Sequence, residues 1–146
     1  MVLEKLNEVY NSGEVWMTYG TYEEFPYRDV SRHYHPYPQD VINQNTFREY
    51  KWLASHLRTF RKELILKINE SDLLDNTGVW LPTTGDQAIM LPMLEMSSEK
   101  SRYVSDILYV YNAYDTSRDS VLNLKKQVEL EKYVRLKTKY ERIDKL

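Results

Sequence analysis

The chain has 146 residues and 17.6 kDa, with 20 Lys and Arg against 22 Asp and Glu, a formal charge of −2 and no cysteine. That length suits one domain with a single core, 42% hydrophobic and 29% charged residues exclude a disordered chain, and the near-neutral balance excludes a general nucleic-acid binder. Disulfides, thiolate zinc sites and thiol catalysis are excluded too, and the absence of cysteine fits a reducing, cytoplasmic setting.

Taken in chain order, Val2, Leu6, Val9 and Tyr10 fall on one face of a predicted helix that Gly13 closes. The aromatic run Val15-Trp16-Met17-Thr18-Tyr19-Gly20 reads as a buried strand between glycines. Residues 21–45 carry Tyr22, Phe25, Tyr27, Tyr34 and Tyr37 among Pro26, Pro36 and Pro38, which predicts a long irregular loop or a short edge hairpin. From Ser55 to Lys67 the spacing of Leu57, Phe60, Leu64 and Ile68 predicts a helix with Ser55 at its N-cap. A short helical turn at Ser71–Leu74 leads to the turn Asn76-Thr77-Gly78. The apolar run Gln87–Met96 predicts a helix that begins near Asp86 and is kinked by Pro92. Arg102–Asn112 reads as one strand, and a basic helix is expected over about 120–140, with Val121, Leu124, Val128 and Val134 as its stripe. From Arg118 onward nine Lys and Arg face five Asp and Glu. No apolar run approaches the roughly 20 residues of a membrane span, and the first residues lack a signal-peptide pattern.

Few residues carry chemistry. Four scattered glycines build no phosphate loop, and no nucleophile elbow is present. His33-x-His35 places two imidazoles on one side of an extended segment, but with no third ligand nearby a Pro-rich surface loop is the better reading. His56 and Arg58, at the predicted helix start, could hold a phosphate or a sugar hydroxyl, or Arg58 could simply be solvated. Asp86, at the start of the methionine-rich helix, suits either a general base or an N-cap. Met90, Met93 and Met96 lie at helical intervals and read as core filler. Tyrosine occurs 13 times, and its clusters permit carbohydrate recognition through ring faces and phenol groups. The basic final helix reads as a solvated face.

The ordered blocks Val-Leu-Glu-Lys-Leu-Asn-Glu-Val-Tyr (2–10), Val-Trp-Met-Thr-Tyr-Gly (15–20), Ser-His-Leu-Arg-Thr-Phe (55–60), Gly-Asp-Gln-Ala-Ile-Met-Leu-Pro-Met-Leu-Glu-Met (85–96) and Ile-Leu-Tyr-Val-Tyr-Asn (107–112) resemble family 2-like glycosyltransferases of the GT-A fold, in a viral and bacterial branch. The resemblance implies an α/β fold with a mixed sheet and flanking helices, residues 1–146 forming the C-terminal, acceptor-side portion of such a domain. It implies a nucleotide sugar and a glycan acceptor as substrates, with Asp86 as the catalytic base. His56 and Arg58 are implied to line the site, together with Thr84, Gln87, Trp16, Tyr19 and Tyr22.

The family's DxD motif, which holds a divalent Mn or Mg ion and the donor diphosphate, would precede residue 2. The metal is therefore expected for the family while its main ligands are absent, and no metal ligand is assigned in this chain. A donor-binding half in trans and self-association through exposed apolar surface are the expected partnerships. An Asp-His pair common in the family reads Asp119-Ser120 here, after Arg118. The contrasting expectation is a non-catalytic remnant that binds glycans or a protein.

Overall fold

The structure, a computed structural model, describes residues 1–27, the backbone of 29–30, and residues 34–114 and 123–146. The fold is mixed α/β: two three-stranded mixed sheets with flanking helices. Helix α1 (Val2–Asn11) buries Leu6 and feeds β1 (Met17–Gly20), all of whose residues are buried. Of the two readings of residues 21–45, a long irregular loop or a short edge hairpin, the structure has the hairpin, β2 (Glu23–Phe25) with β3 (Asp29–Val30), followed by a short helix α2 (Gln39–Gln44).

The segment expected to be helical from Ser55 is strand β4 (Ser55–Phe60), followed by the single-turn helix α3 (Lys62–Ile65). Leu57, Phe60 and Leu64 match a helical spacing by coincidence, and the unpaired edge of buried β1 decides the matter. β4 pairs antiparallel with β1, with Met17 opposite Phe60 and Gly20 opposite Ser55. Partner strands routinely override local propensity.

A 3₁₀ turn (Glu70–Leu73) and the turn at Gly78, whose φ of +80° suits glycine, lead to helix α4 (Gly85–Ser97). α4 runs through Pro92, and Met90, Leu91, Met93, Leu94 and Met96 are all buried. Such a helix, apolar around most of its surface, belongs at the centre of a domain, and each buried Leu or Met contributes about 1.5–3 kcal/mol. The strand expected over Arg102–Asn112 is broken into β5 (Ser101–Val104) and β6 (Val110–Asn112). The polar Ser105-Asp106 interrupts it, as Asp is a poor strand residue. β5 adds parallel to β1, giving the order β4-β1-β5, while β6 adds parallel to β2, giving β3-β2-β6.

Helix α5 (Leu124–Arg135) is shorter than expected at its C-terminal end, and Val121 lies outside the described residues. Val134 is buried, whereas Leu124 and Val128 are exposed, so only the end of the stripe packs. Beyond α5 the chain turns back over α4: the Ile143 N–H donates to the Met96 carbonyl at 3.2 Å. On α5 itself Lys125, Lys126 and Lys132 are exposed, as a solvated face requires, whereas Arg135 and, beyond the helix, Lys137 and Arg142 are bound. Arg135 donates to the Arg48 and Tyr50 carbonyls at 2.8 Å, Lys137 to those of Ser71 and Leu74 at 2.8 Å, and Arg142 to those of Ile42 and Asn43.

One buried ion pair joins these layers. Arg48, from the segment after α2, is 5% exposed, and Glu95 on α4 is 0% exposed. Arg48 Nε and Nη2 donate to the two Glu95 oxygens at 2.6 and 3.0 Å, and Nη1 donates to the Val134 carbonyl at 2.6 Å. Glu95 Oε2 also accepts the Tyr140 N–H at 3.1 Å. Removing one partner leaves a buried charge without its counter-ion, so Arg48→Ala or Glu95→Ala should cost about 3–5 kcal/mol in denaturant unfolding. The double variant Arg48→Met/Glu95→Leu should cost clearly less than the two single losses combined.

Candidate functional site

His56 and Arg58, both on β4, project to one cleft, within a stretch where the register against β1 shifts; on a helix they would stand roughly 200° apart. The opposite face carries Thr59, whose hydroxyl meets those of Thr18 at 2.6 Å and Tyr10 at 2.9 Å. Gly20 permits the close approach of β4 and β5 beside His56: a Cβ there would lie 3.0 Å from the Val104 carbonyl oxygen and 3.1 Å from that of His56.

The His56 and Arg58 side chains open onto a cleft of about 320 Å³, lined also by Tyr22, Glu24, Tyr34, Trp52, Ser55, Asp86, Gln87, Tyr111 and Gln127. Arg58 Nη2 donates to Asp86 Oδ2 at 2.9 Å, and its Nε donates to the Ala54 carbonyl at 2.7 Å. The guanidinium also lies over the Trp52 ring, 5.7 Å from its centroid. Asp86 Oδ1 accepts the Gln87 N–H at 2.9 Å. The Asp86 side chain is nevertheless 41% exposed, and a carboxylate offers about four lone-pair sites, so both oxygens keep room for a ligand hydroxyl. The N-cap of α4 is Thr84, not Asp86. Thr84 is buried with φ +61°, a strained backbone for a β-branched residue, and its Oγ1 donates to the Thr83 carbonyl. That strained turn sets the direction in which Asp86 leaves the helix.

Aromatic rings line one wall. His56 stacks on Tyr109 with centroids 4.5 Å apart, and Tyr22 meets Tyr111 at 5.1 Å and Tyr34 at 5.5 Å. Burial, reinforced by the Arg58 charge and opposed by Asp86, lowers the His56 pKa from its ordinary 6.5 to about 4. At neutral pH the imidazole is therefore uncharged, able to donate from one nitrogen and accept at the other.

The cleft thus gathers Asp86, His56, Arg58, Gln87 and Tyr22, whereas Thr84, buried at the N-cap of α4, does not line it. Trp16 and Tyr19 are not brought to it, because both are buried core residues. Trp16 stands at the far end of β1 under the Lys100 ammonium, 3.8 Å from its ring, and the Tyr19 hydroxyl accepts the Tyr37 N–H at 3.0 Å. Trp52, Tyr111 and Gln127, which line the cleft, and Tyr109, which stacks on His56 beside it, are residues that the sequence alone did not single out for the site. The i, i+2 spacing of Tyr109 and Tyr111 was the one signal available for them.

Among the described residues no three His, Asp or Glu side chains converge as metal ligands. Asp86, the nearest carboxylate to His56 on the α4 side, is already paired with the Arg58 cation. The described residues of the cleft do not form a ligand set for a divalent ion. His35 Nδ1 contacts the Pro36 carbonyl at 2.8 Å, while His33 and residues 118–120 lie outside the described residues. No helix among the described residues is long and apolar enough to cross a membrane.

Fold and site together define an α/β protein with an open, aromatic-lined cleft built around a carboxylate–guanidinium pair. Compared with known proteins, the chain matches no family model, no curated protein and no solved structure.

The His56 shift links the cleft to stability. The folded state disfavours the imidazolium, so the unfolded chain binds more protons between pH 6.5 and about 4. The stability this contributes is complete above the unfolded value and is lost as pH falls through that window. Thermal unfolding of His56→Gln should therefore decline less between pH 6.5 and 4 than that of the unsubstituted chain.

Proposed function

We propose that the chain supplies the acceptor side of a glycosyl-transfer site, with Asp86 as the general base. The observation that supports this reading is the meeting of Asp86, Arg58 and His56, from two separate sequence blocks, in one cleft walled by Trp52, Tyr22 and Tyr111. Aromatic faces pack against sugar C–H surfaces while polar groups among them take the hydroxyls. A neutral imidazole and a paired carboxylate suit a hydroxylic ligand better than an anionic one. The order of blocks that resembles family 2-like glycosyltransferases is the second support.

In the proposed reaction an acceptor hydroxyl oxygen bonds to the anomeric carbon of a nucleotide sugar. The bond from that carbon to the diphosphate oxygen breaks and its electron pair leaves with the nucleoside diphosphate. The hydroxyl proton passes to Asp86. Arg58 holds Asp86 Oδ2 in place and is a positioning residue, and His56 orients the acceptor by hydrogen bonding. The described residues offer no cradle for the diphosphate, so the donor's phosphates are assigned to residues outside this cleft, in a donor-binding half.

The test combines the chain with a donor-binding half of this class and measures sugar transfer. Asp86→Asn should lower transfer at least ~100-fold, within the range typical of a general base, while acceptor-sugar binding, read at the Trp52 indole N–H resonance, persists. Transfer that survives Asp86→Asn contradicts the assignment. Tight, metal-dependent binding of uridine diphosphate sugars by the chain alone contradicts the acceptor-side reading. Sugar binding with no transfer in any combination favours a glycan-binding protein without catalysis.

A further inference from the structure

The cleft wall holds three charged side chains, Glu24, Arg58 and Asp86. Two of them satisfy each other: the Arg58 guanidinium donates to Asp86 Oδ2 and to the Ala54 carbonyl while it lies over the Trp52 ring. The third, Glu24, has neither an ion pair nor a side-chain hydrogen bond among the described residues. His56, uncharged at neutral pH, adds no positive charge. One cation against two carboxylates leaves the wall at a net charge of −1, and the uncompensated charge is that of Glu24.

Glu24 is set among aromatic rings. On β2 it is half-buried and stands beside Tyr111 of β6 in the parallel register. Tyr22, two residues earlier, lines the same cleft, with its ring 5.1 Å from that of Tyr111 and 5.5 Å from that of Tyr34. The cleft therefore repeats one arrangement, a carboxylate with an aromatic ring. At Asp86 and Trp52 the cation that joins the two is Arg58, whereas at Glu24 no described residue supplies one. Ring faces attract a cation through their quadrupole, and a carboxylate beside them adds a charge-assisted hydrogen bond. An anionic ligand is repelled by the uncompensated charge. A neutral hydroxyl donates to Glu24 but leaves its charge in place, while an ammonium group donates and neutralises it.

We propose that Glu24, with Tyr22 and Tyr111, receives an ammonium group of the ligand, so that the acceptor taken by the cleft is an amino sugar with a ring hydroxyl facing Asp86. This rests on the acceptor-side reading above. Glu24 is then a specificity determinant that touches no reacting atom: a sugar with a hydroxyl or an acetamido group in place of the ammonium leaves the carboxylate charge uncompensated. Its loss changes which acceptor binds and leaves the Arg58–Asp86 pair as it is.

The test is a titration of the uniformly ¹⁵N-labelled full chain at about pH 6, where carboxylates are ionised and amines protonated, followed at the Trp52 indole N–H resonance. The probes are the methyl glycosides of the common hexoses, their 2-amino and 6-amino counterparts and the N-acetylated forms of these, with methylammonium as a cation without a sugar. At least one amino glycoside should bind roughly 5- to 20-fold more tightly than its hydroxyl and N-acetyl forms, as expected of one partly exposed charge pair together with a ring contact. Added salt should narrow that gap. Glu24→Gln should bring the three forms within about twofold of one another. Glu23→Gln, which removes the same charge from a residue outside the cleft wall, should keep the preference. Neutral glycosides that bind as tightly as the amino forms, with Trp52 responding, overturn the ammonium assignment and leave the acceptor-side reading standing. A preference that survives Glu24→Gln, or that Glu23→Gln abolishes equally, overturns the role of Glu24. Methylammonium bound as tightly as any glycoside overturns the amino-sugar ligand. No response at Trp52 to any glycoside overturns both readings.

Discussion

The structure depends on one buried charge pair. Arg48 and Glu95 meet where the segment after α2, the central helix α4, the end of α5 and the returning C-terminal strand of chain converge. A buried pair of this kind is a poor source of net stability, because desolvation offsets the Coulomb attraction. Its effect is selective: with every polar atom of the Arg48 head group committed, other packings of these four segments leave a charge unpaired. α4 is held along its C-terminal half by this pair and by the methionine and leucine side chains around it. Its N-terminal turn is thereby free to present Asp86 to solvent as a fixed edge.

That fixed edge faces β4, whose His56 and Arg58 open onto the same cleft. His56 and Arg58 act together only because the segment is extended. The helical spacing of Leu57, Phe60 and Leu64 pointed the other way, and nothing local to Ser55–Phe60 says that a fully buried strand, β1, awaits a partner. β1 itself was legible, an aromatic run between glycines, and so was α4, whose length and polar first turn exceed any strand. The hairpin of β2 and β3 was legible only as one of two alternatives and the short helix α2 not at all, because prolines and brief elements erase periodicity before it accumulates.

The candidate site was legible in part. Asp86, His56, Arg58, Gln87 and Tyr22 do converge, although the pair on β4 was expected on a helix. Trp16 and Tyr19 were not separable from site residues by type: aromatic side chains serve a core as readily as a sugar face, and here burial against Lys100 and Tyr37 claims them. Gln127 gave no signal at all. A glutamine on an amphipathic helix is ordinary until the fold places it in the wall of the cleft. The likeness to nucleotide-sugar transferases rests on block order, and the cleft sets beside it a carboxylate, its guanidinium partner, a neutral imidazole and aromatic walls around one volume of about 320 Å³.

The central claim is that this cleft receives a hydroxyl at Asp86, and a crystal structure of the chain grown with an acceptor sugar tests it most directly. The account predicts a sugar hydroxyl within hydrogen-bond distance of an Asp86 carboxylate oxygen, with the ring face against Trp52 or Tyr111. A sugar seated elsewhere on the surface, with the Arg58–Asp86 pair and the aromatic wall untouched, contradicts it.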